Sequence, residues 1–442
     1  MNHFLRGLPV LFAVLLFGLP LLAQQQRVMT LDEIVAAGLQ NSKQLQASAA
    51  KSAAAQIKTT QYKNAFIPSL SYTGAYLRVS DNIEPFAFTL PDGTEKVLNP
   101  VILNQYTNRL SVSEPVFTGF RALNTLHAAE FLARAAQLDV AKDRAEVQLN
   151  LLGAALNLYK LQAARRAFEQ SLPAAQHRLA ELQHQRDQGL ALDNDVLRAE
   201  LAVGRLENAR EETDNALAAA RFGLAVLTGQ PESSLLVVDS ASVFSGSPGV
   251  AALDTYLESA GQRADVQSAV SRAMAAGKQV NVSKGAYFPL VTLGANLYDN
   301  RPNQRVFPPE DRFKSTWDAG VTLSWNLSGL YTNRHNVEEA KLNQQQAQFF
   351  SDQLNEAARS DIANQFYQWK SAEGRIALAE KSLRQSLENR RVTEVRQQQQ
   401  VASVTELLDA DTEWVQAQIN AISARADARL AYFRLLKSTG KL

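Results

Sequence analysis

The stretch Thr316-Trp317-Asp318-Ala319-Gly320-Val321-Thr322-Leu323-Ser324-Trp325 alternates without interruption. Trp317, Ala319, Val321, Leu323 and Trp325 fall on one side, and Thr316, Asp318, Gly320, Thr322 and Ser324 on the other. A period of two is the mark of a β-strand, because successive side chains leave an extended backbone in opposite directions. Upstream, after Pro289, the same alternation sets Val291, Leu293, Ala295 and Leu297 against Thr292, Gly294, Asn296 and Tyr298. Residues 69–79, with Leu70, Tyr72 and Tyr76 on one face, and residues 104–116, with Tyr106, Leu110 and Val112 on one face, are weaker versions. Four strands are expected: 69–79, 104–116, 290–300 and 315–326. Each has about ten residues, one apolar face and aromatics near its ends, which describes a strand of a transmembrane β-barrel. A half-buried hairpin on a soluble domain has the same pattern. The long helices and the N-terminus favour the barrel.

Outward from the strands, Ala, Gln, Leu, Arg and Glu dominate, a mixture that favours long helices. Long helices are expected over 119–188 and 329–400, each about 105 Å at 1.5 Å per residue. Turns near Gly189 and Val401 lead into returning helices, 192–228 and 403–438. The first helix of each half, about 31–65 and 254–287, stops at Pro68 or Pro289, and Thr30 with Glu33 forms a capping-box signature. Near-heptad stripes such as Val196, Val203, Leu206 and Leu408, Val415, Ile419, Ile422 suit coiled-coil pairing.

The chain is internally repetitive. Ser113-Glu114-Pro115-Val116-Phe117-Thr118-Gly119 matches Ser324-Trp325-Asn326-Leu327-Ser328-Gly329 with one residue deleted. Asp195-Val196-Leu197-Arg198-Ala199 matches Glu406-Leu407-Leu408-Asp409-Ala410, and Thr228-Gly229 matches Thr439-Gly440. The expected domains are a first repeat, 24–230, a linker or equatorial segment, 231–252, and a second repeat, 253–442.

The N-terminus reads as a secretory signal peptide, residues 1–23. Arg6 precedes an apolar run from Leu8 to Leu22, which ends at Ala23 before Gln24-Gln25-Gln26. No later stretch has the roughly 20 apolar residues of a spanning helix. The 45 Lys and Arg stand against 44 Asp and Glu, a neutral balance that argues against nucleic acid as a partner. Cysteine is absent, which excludes disulfides, thiol catalysis and a lipidated N-terminal Cys. No catalytic constellation or phosphate cradle appears, so neither an enzyme nor a cofactor is expected. His177 and His184, seven apart on one helix, lack the further ligands of a metal site. Four strands cannot close a membrane barrel, since about eight is the minimum, and open edges are not tolerated in lipid. Strands that span would therefore require several copies.

In their order and duplication, TLDEIVAAGLQNS, AFIPSL and AYFPLV, SEPVFTG and VTLSWNLSG, GLALDNDVLRAEL, LTGQP, SVTELLDADTEWVQAQ and LLKSTG resemble the TolC-like outer-membrane efflux proteins. The resemblance implies a mixed α/β membrane protein: a homotrimer sharing one barrel, four strands per protomer, continued by an α-helical coiled-coil tunnel into the periplasm of a Gram-negative bacterium. It implies a passive export duct of a tripartite efflux or type I secretion system, with a periplasmic adaptor (membrane fusion) protein, an inner-membrane pump and outer-membrane lipid as partners. The periplasmic tip, where the adaptor docks, would comprise Gly189, Leu190, Ala191, Leu192, Asn194, Asp195, Val401, Ala402, Ser403 and Val404. Glu406 and Asp409 would ring the pore constriction. Asp195 matches an acid of the family's tip lock, but the position of its Arg partner holds Ala402 here. The alternative is a periplasmic coiled-coil adaptor or structural protein. An adaptor should carry a compact β-rich domain, and no run of short strands is visible.

Overall fold

The computed structural model describes residues 26–244, 249 and 251–442, so the expected signal peptide lies outside the described residues. In chain order the main elements are β1 (Gln26–Met29), α1 (Leu31–Asn41), α2 (Lys43–Lys63), β2 (Ser69–Arg78), β3 (Phe86–Thr89), β4 (Glu95–Asn99), β5 (Asn104–Phe117), α3 (Arg121–Asp187) and α4 (Asp193–Thr228). There follow β6 (Leu235–Val238), α5 (Ser240–Phe244), α6 (Leu253–Leu257), α7 (Ala264–Lys284), β7 (Leu290–Asn300), β8 (Lys314–Ser324), α8 (Gly329–Thr332), α9 (Arg334–Gln398) and α10 (Val404–Ser438). They fall into two compact units, the first holding residues 151–246 and 378–426 with the N-terminal segment, the second holding 42–150, 247–377 and 427–442.

The second unit contains the sheet, ordered β2-β5-β7-β8 with antiparallel neighbours. Its register decides what each face carries. Tyr72, Leu110, Leu297 and Trp317 line up as one row across all four strands, followed by Leu70, Val112, Ala295 and Ala319. One residue along, Ser71, Ser111, Asn296 and Asp318 form a row on the opposite face. The strand period of two thus separates an apolar face from a polar one over the whole sheet. The apolar face is open: Trp317 is 76% exposed, and Leu70, Val321 and Leu323 are nearly as accessible. Among the described residues, the outer edges of β2 and β8 have no strand partner. The helical part of this unit has a core of Tyr256, Val266, Ala358, Ile362 and Leu435.

The first unit contains a two-stranded parallel sheet in which β1 pairs with β6, inside what the sequence presents as a linker. Buried Gln162 of α3 serves β6 by donating to the Leu236 carbonyl at 3.3 Å and accepting from the Val238 amide at 3.4 Å. Thr30 and Glu33 exchange two bonds at the start of α1, each side chain accepting the other residue's backbone N–H.

Several elements are more broken than the periodicity suggests. The helix expected over 31–65 divides at Ser42, whose hydroxyl caps α2 by accepting from the Leu45 amide at 3.2 Å. The one over 254–287 divides into α6, a 3₁₀ turn and α7, and Asn333 separates α8 from α9. The segment between β2 and β5 contains the small β3–β4 hairpin. Among the described residues, no helix is long and apolar enough to cross a membrane.

Candidate functional site

Two helical turns in the first unit hold the residues singled out as the tip. Both are built from the same hydrogen bonds. At the end of α3 the Gly189 amide donates to Arg186 O and the Leu190 amide to Gln185 O, both at 2.8 Å. At the end of α9 the Gln400 amide donates to Gln397 O at 2.9 Å and the Val401 amide to Arg396 O at 2.8 Å. This is the Schellman arrangement, which needs one residue in the left-handed region. Gly189 takes it with φ 74°, and Gln400 takes it with φ 58° despite its side chain.

The turns bring apolar side chains to the surface. Leu190 is 75% exposed, Leu192 71% and Val401 64%, beside exposed Asn194 and Ser403. Not all the singled-out residues share that exposure. Ala191 and Val404 pack against a core of Leu182, Val196, Ala199 and Leu408 just behind the turns. Asp195 and Ala402 are half-buried, and among the described residues no side-chain partner engages the Asp195 carboxylate.

Glu406 and Asp409 are both exposed on α10. Their surroundings differ. Ser403 caps this helix: its hydroxyl accepts from the Glu406 amide and donates to Glu406 Oε1, both at 3.2 Å. Arg396 lies 3.9 Å from the other carboxylate oxygen of Glu406. Asp409 has no such local engagement among the described residues, so its charge is free to face whatever adjoins this side of α10. A further bond, Arg198 Nη1 to Thr405 Oγ1 at 2.6 Å, ties the second turn of α4 to the first turn of α10. His177 pairs with Glu181 at 3.6 Å and His184 contacts Gln188 at 2.9 Å, so the two histidines point to separate partners.

Sequence reasoning missed a charge cluster a little further from the turns. Asp411 of α10 is paired with Arg178 of α3 and accepts from Arg390 Nε of α9 at 2.8 Å. The Arg390 guanidinium also lies 4.3 Å over the Trp414 ring. All three charged side chains are less than a quarter exposed. Burial pushes the Arg178 guanidinium below its ordinary value, and nearby Glu394 opposes that shift. One carboxylate therefore fastens helices from both hairpins. A cavity of about 100 Å³ adjoins it, lined by Arg390, Asp411, Trp414 and Ser171. The buried Ser171 hydroxyl has no partner among the described residues. No sequence signal marks this cluster, because Arg178 of α3 lies far along the chain from the consecutive helices α9 and α10 that carry Arg390 and Asp411.

Comparison with known proteins places this geometry. The structure of CusC matches with a TM-score of 0.77 at 16% identity, over 93% of this chain and 92% of that one. VceC of Vibrio cholerae, an outer membrane protein, matches at 0.74 and 18%, over 93% and 96%. The outer-membrane channel OprN matches at 0.73 and 19%, over 93% and 90%. At these identities the likeness is one of fold. Protein CyaE of Bordetella pertussis is 28% identical over 264 residues, 58% of this chain and 53% of CyaE, so the chain spans about half the length of that relative. The sequence profile of the outer membrane efflux protein family matches residues 35–230 and, separately, residues 256–441. With most of its length accounted for by that profile, the chain belongs to the outer membrane efflux protein family, whose members are TolC-like channels and not enzymes.

Proposed function

We propose that the chain is the outer-membrane duct of a tripartite efflux or type I secretion system, and that it works as a homotrimer. The observation that carries this reading is the sheet β2-β5-β7-β8, with one open apolar face and two edges that have no strand partner among the described residues. A lipid-facing sheet has no water to satisfy its edge N–H and C=O groups, so it must close. Three copies, β8 of each beside β2 of the next, give a twelve-stranded barrel within the range that membranes tolerate. Two similar halves, 24–230 and 253–442 joined by 231–252, supply two strands each. Detergent-extracted protein should have about three times the protomer mass by light scattering. A stable monomer in the soluble periplasmic fraction would refute the trimer.

The exposed Leu190, Leu192 and Val401 support docking of a periplasmic adaptor at the two turns, an inner-membrane pump being the third component. Cysteine placed at Leu192 or Val401 should cross-link to the adaptor in a chain with none of its own. Ser403 is a poorer site for the probe because it caps α10. In a trimer, Glu406 and Asp409 would set six carboxylates around one axis and favour polyvalent cations. Their joint replacement by Ala should preserve assembly and abolish block by a trivalent cation in planar bilayers. Unaltered block would leave both acids as ordinary helix-start residues.

A further inference from the structure

The polar face of the sheet carries a hydrogen-bonded chain that neither the tip nor the edges explain. Ser111 Oγ donates to Asn296 Oδ1 at 2.7 Å, and Asn296 Nδ2 donates to Asp318 Oδ1 at 2.7 Å. These are directly opposed residues of β5, β7 and β8. At one end, Asp318 is paired with Arg305, which folds back from the β7–β8 loop and lies 4.3 Å over the Tyr298 ring. At the other end, Arg109 Nε donates to Ser111 Oγ at 2.9 Å.

The charges along this chain do not balance. Arg305 has Asp318. Lys314, on the same face of β8, is 2.7 Å from Glu310. Arg109 is exposed, sits at mid-strand, and among the described residues has a hydroxyl and no carboxylate for a partner. An unpaired guanidinium halfway along a barrel strand is tolerated on the side facing water and costs a few kcal/mol on the side facing lipid. The register puts it opposite Thr73 and Tyr298 and one residue out of step with the apolar row of Tyr72, Leu110, Leu297 and Trp317.

We propose that Arg109, held by Ser111 and repeated once per protomer, forms a basic belt on the inner wall of the barrel that binds polyanionic solutes and biases permeation toward anions. The proposal rests on the duct reading above, and its sign is opposite to that of the acidic pair Glu406 and Asp409. Guanidinium is well matched to phosphate and carboxylate oxygens, and three copies act on one passing solute. Asp318 is the counterweight, since it neutralises Arg305.

The two residues therefore predict opposite outcomes. In planar bilayers at 0.1 M KCl, Arg109→Gln should lower chloride permeability relative to potassium about twofold and remove flickering block by tripolyphosphate. The difference should shrink at 1 M salt, where charges are screened beyond about 3 Å. Asp318→Asn frees Arg305 and should shift selectivity toward chloride and strengthen the tripolyphosphate block. Conducting trimers in which R109Q leaves selectivity and block as in the parent would overturn the belt and leave the duct intact. If R109Q does not assemble, Ser111→Ala decides: it keeps the Arg109 charge and removes the bond that holds it, so tripolyphosphate block should weaken, and unaltered block overturns the proposal. A wild-type protein that forms no conducting trimer overturns the duct reading and the belt together.

Discussion

The turn after α3 and the turn after α9 have the same backbone and are secured in different ways. In the first, glycine occupies the left-handed position, and Leu192 at the start of α4 makes no side-chain cap bond. In the second, Gln400 occupies that position, while Ser403 caps α10 and Arg396 approaches Glu406. Left-handed backbone costs a non-glycine residue about 1–2 kcal/mol, so the second turn is locally strained, and a cap worth about 1 kcal/mol offsets that strain. The Asp411 cluster adds a further restraint on the α9–α10 hairpin by joining it to α3. The difference teaches that a turn can be stabilised through backbone freedom or through side-chain bonds. Only the second kind can be released by a change in charge.

Amide hydrogen exchange at the starts of α4 and α10 can test each part of that contrast. The largest effect is expected for Asp411→Ala, which leaves Arg178 and Arg390 mostly buried without their carboxylate. Stranding buried charges costs about 2–3 kcal/mol at this degree of exposure, so amides near Leu408–Val415 should lose roughly 30-fold or more in protection. A loss below about threefold would reduce the cluster to an ordinary surface ion pair. Gly189→Ala comes next, at about 1–2 kcal/mol. Among the described residues an added Cβ there meets nothing within 4 Å, so any loss comes from the backbone alone. An unaltered exchange rate at Leu190–Asn194 would mean that the first turn does not depend on its glycine. Ser403→Ala should cost about 1 kcal/mol, seen at the first amides of α10 and absent from α4. The smallest effect is a gain. Gln400→Gly relieves left-handed strain but adds unfolded-state entropy of about 0.5–1 kcal/mol, leaving roughly 0.5 kcal/mol of net stabilisation. A loss of protection would show that the Gln400 side chain contributes a bond that outweighs its backbone strain.

Much of this architecture is legible in the sequence for one reason: period. Two-residue alternation from Thr316 to Trp325 is visible without partners, since the faces of a strand are set by its own backbone. Family membership is legible too, through the order of short motifs such as SEPVFTG and GLALDNDVLRAEL. The helix break at Ser42 and the hairpin Phe86–Asn99 are not legible, because an isolated serine or a short strand is locally compatible with either outcome. The parallel pairing of β1 with β6 joins segments about two hundred residues apart, and local pattern carries no record of it.

The candidate site divides in the same way. Glu406 and Asp409 stand out in the sequence as a pair of acids three apart on one helical face. Their inequality has a local part, since Ser403 and Glu406 stand three apart at a helix start, and a part set by the folded turn, which brings Arg396 to Glu406 and leaves Asp409 open. Arg109 reads in the sequence as a polar residue in a weak strand. Only the register across β5, β7 and β8 shows that it ends a chain of bonds whose other charges are matched. By itself the sequence determined the long helices, the two-faced strands and the absence of thiol chemistry, which follow from local periodicity and composition, and the family, which follows from the order and duplication of its short motifs. The tertiary structure decided which charges meet. Arg178, Arg390 and Asp411 lie on three different helices, and side-chain pairing depends on distances of a few ångströms that no one-dimensional pattern encodes.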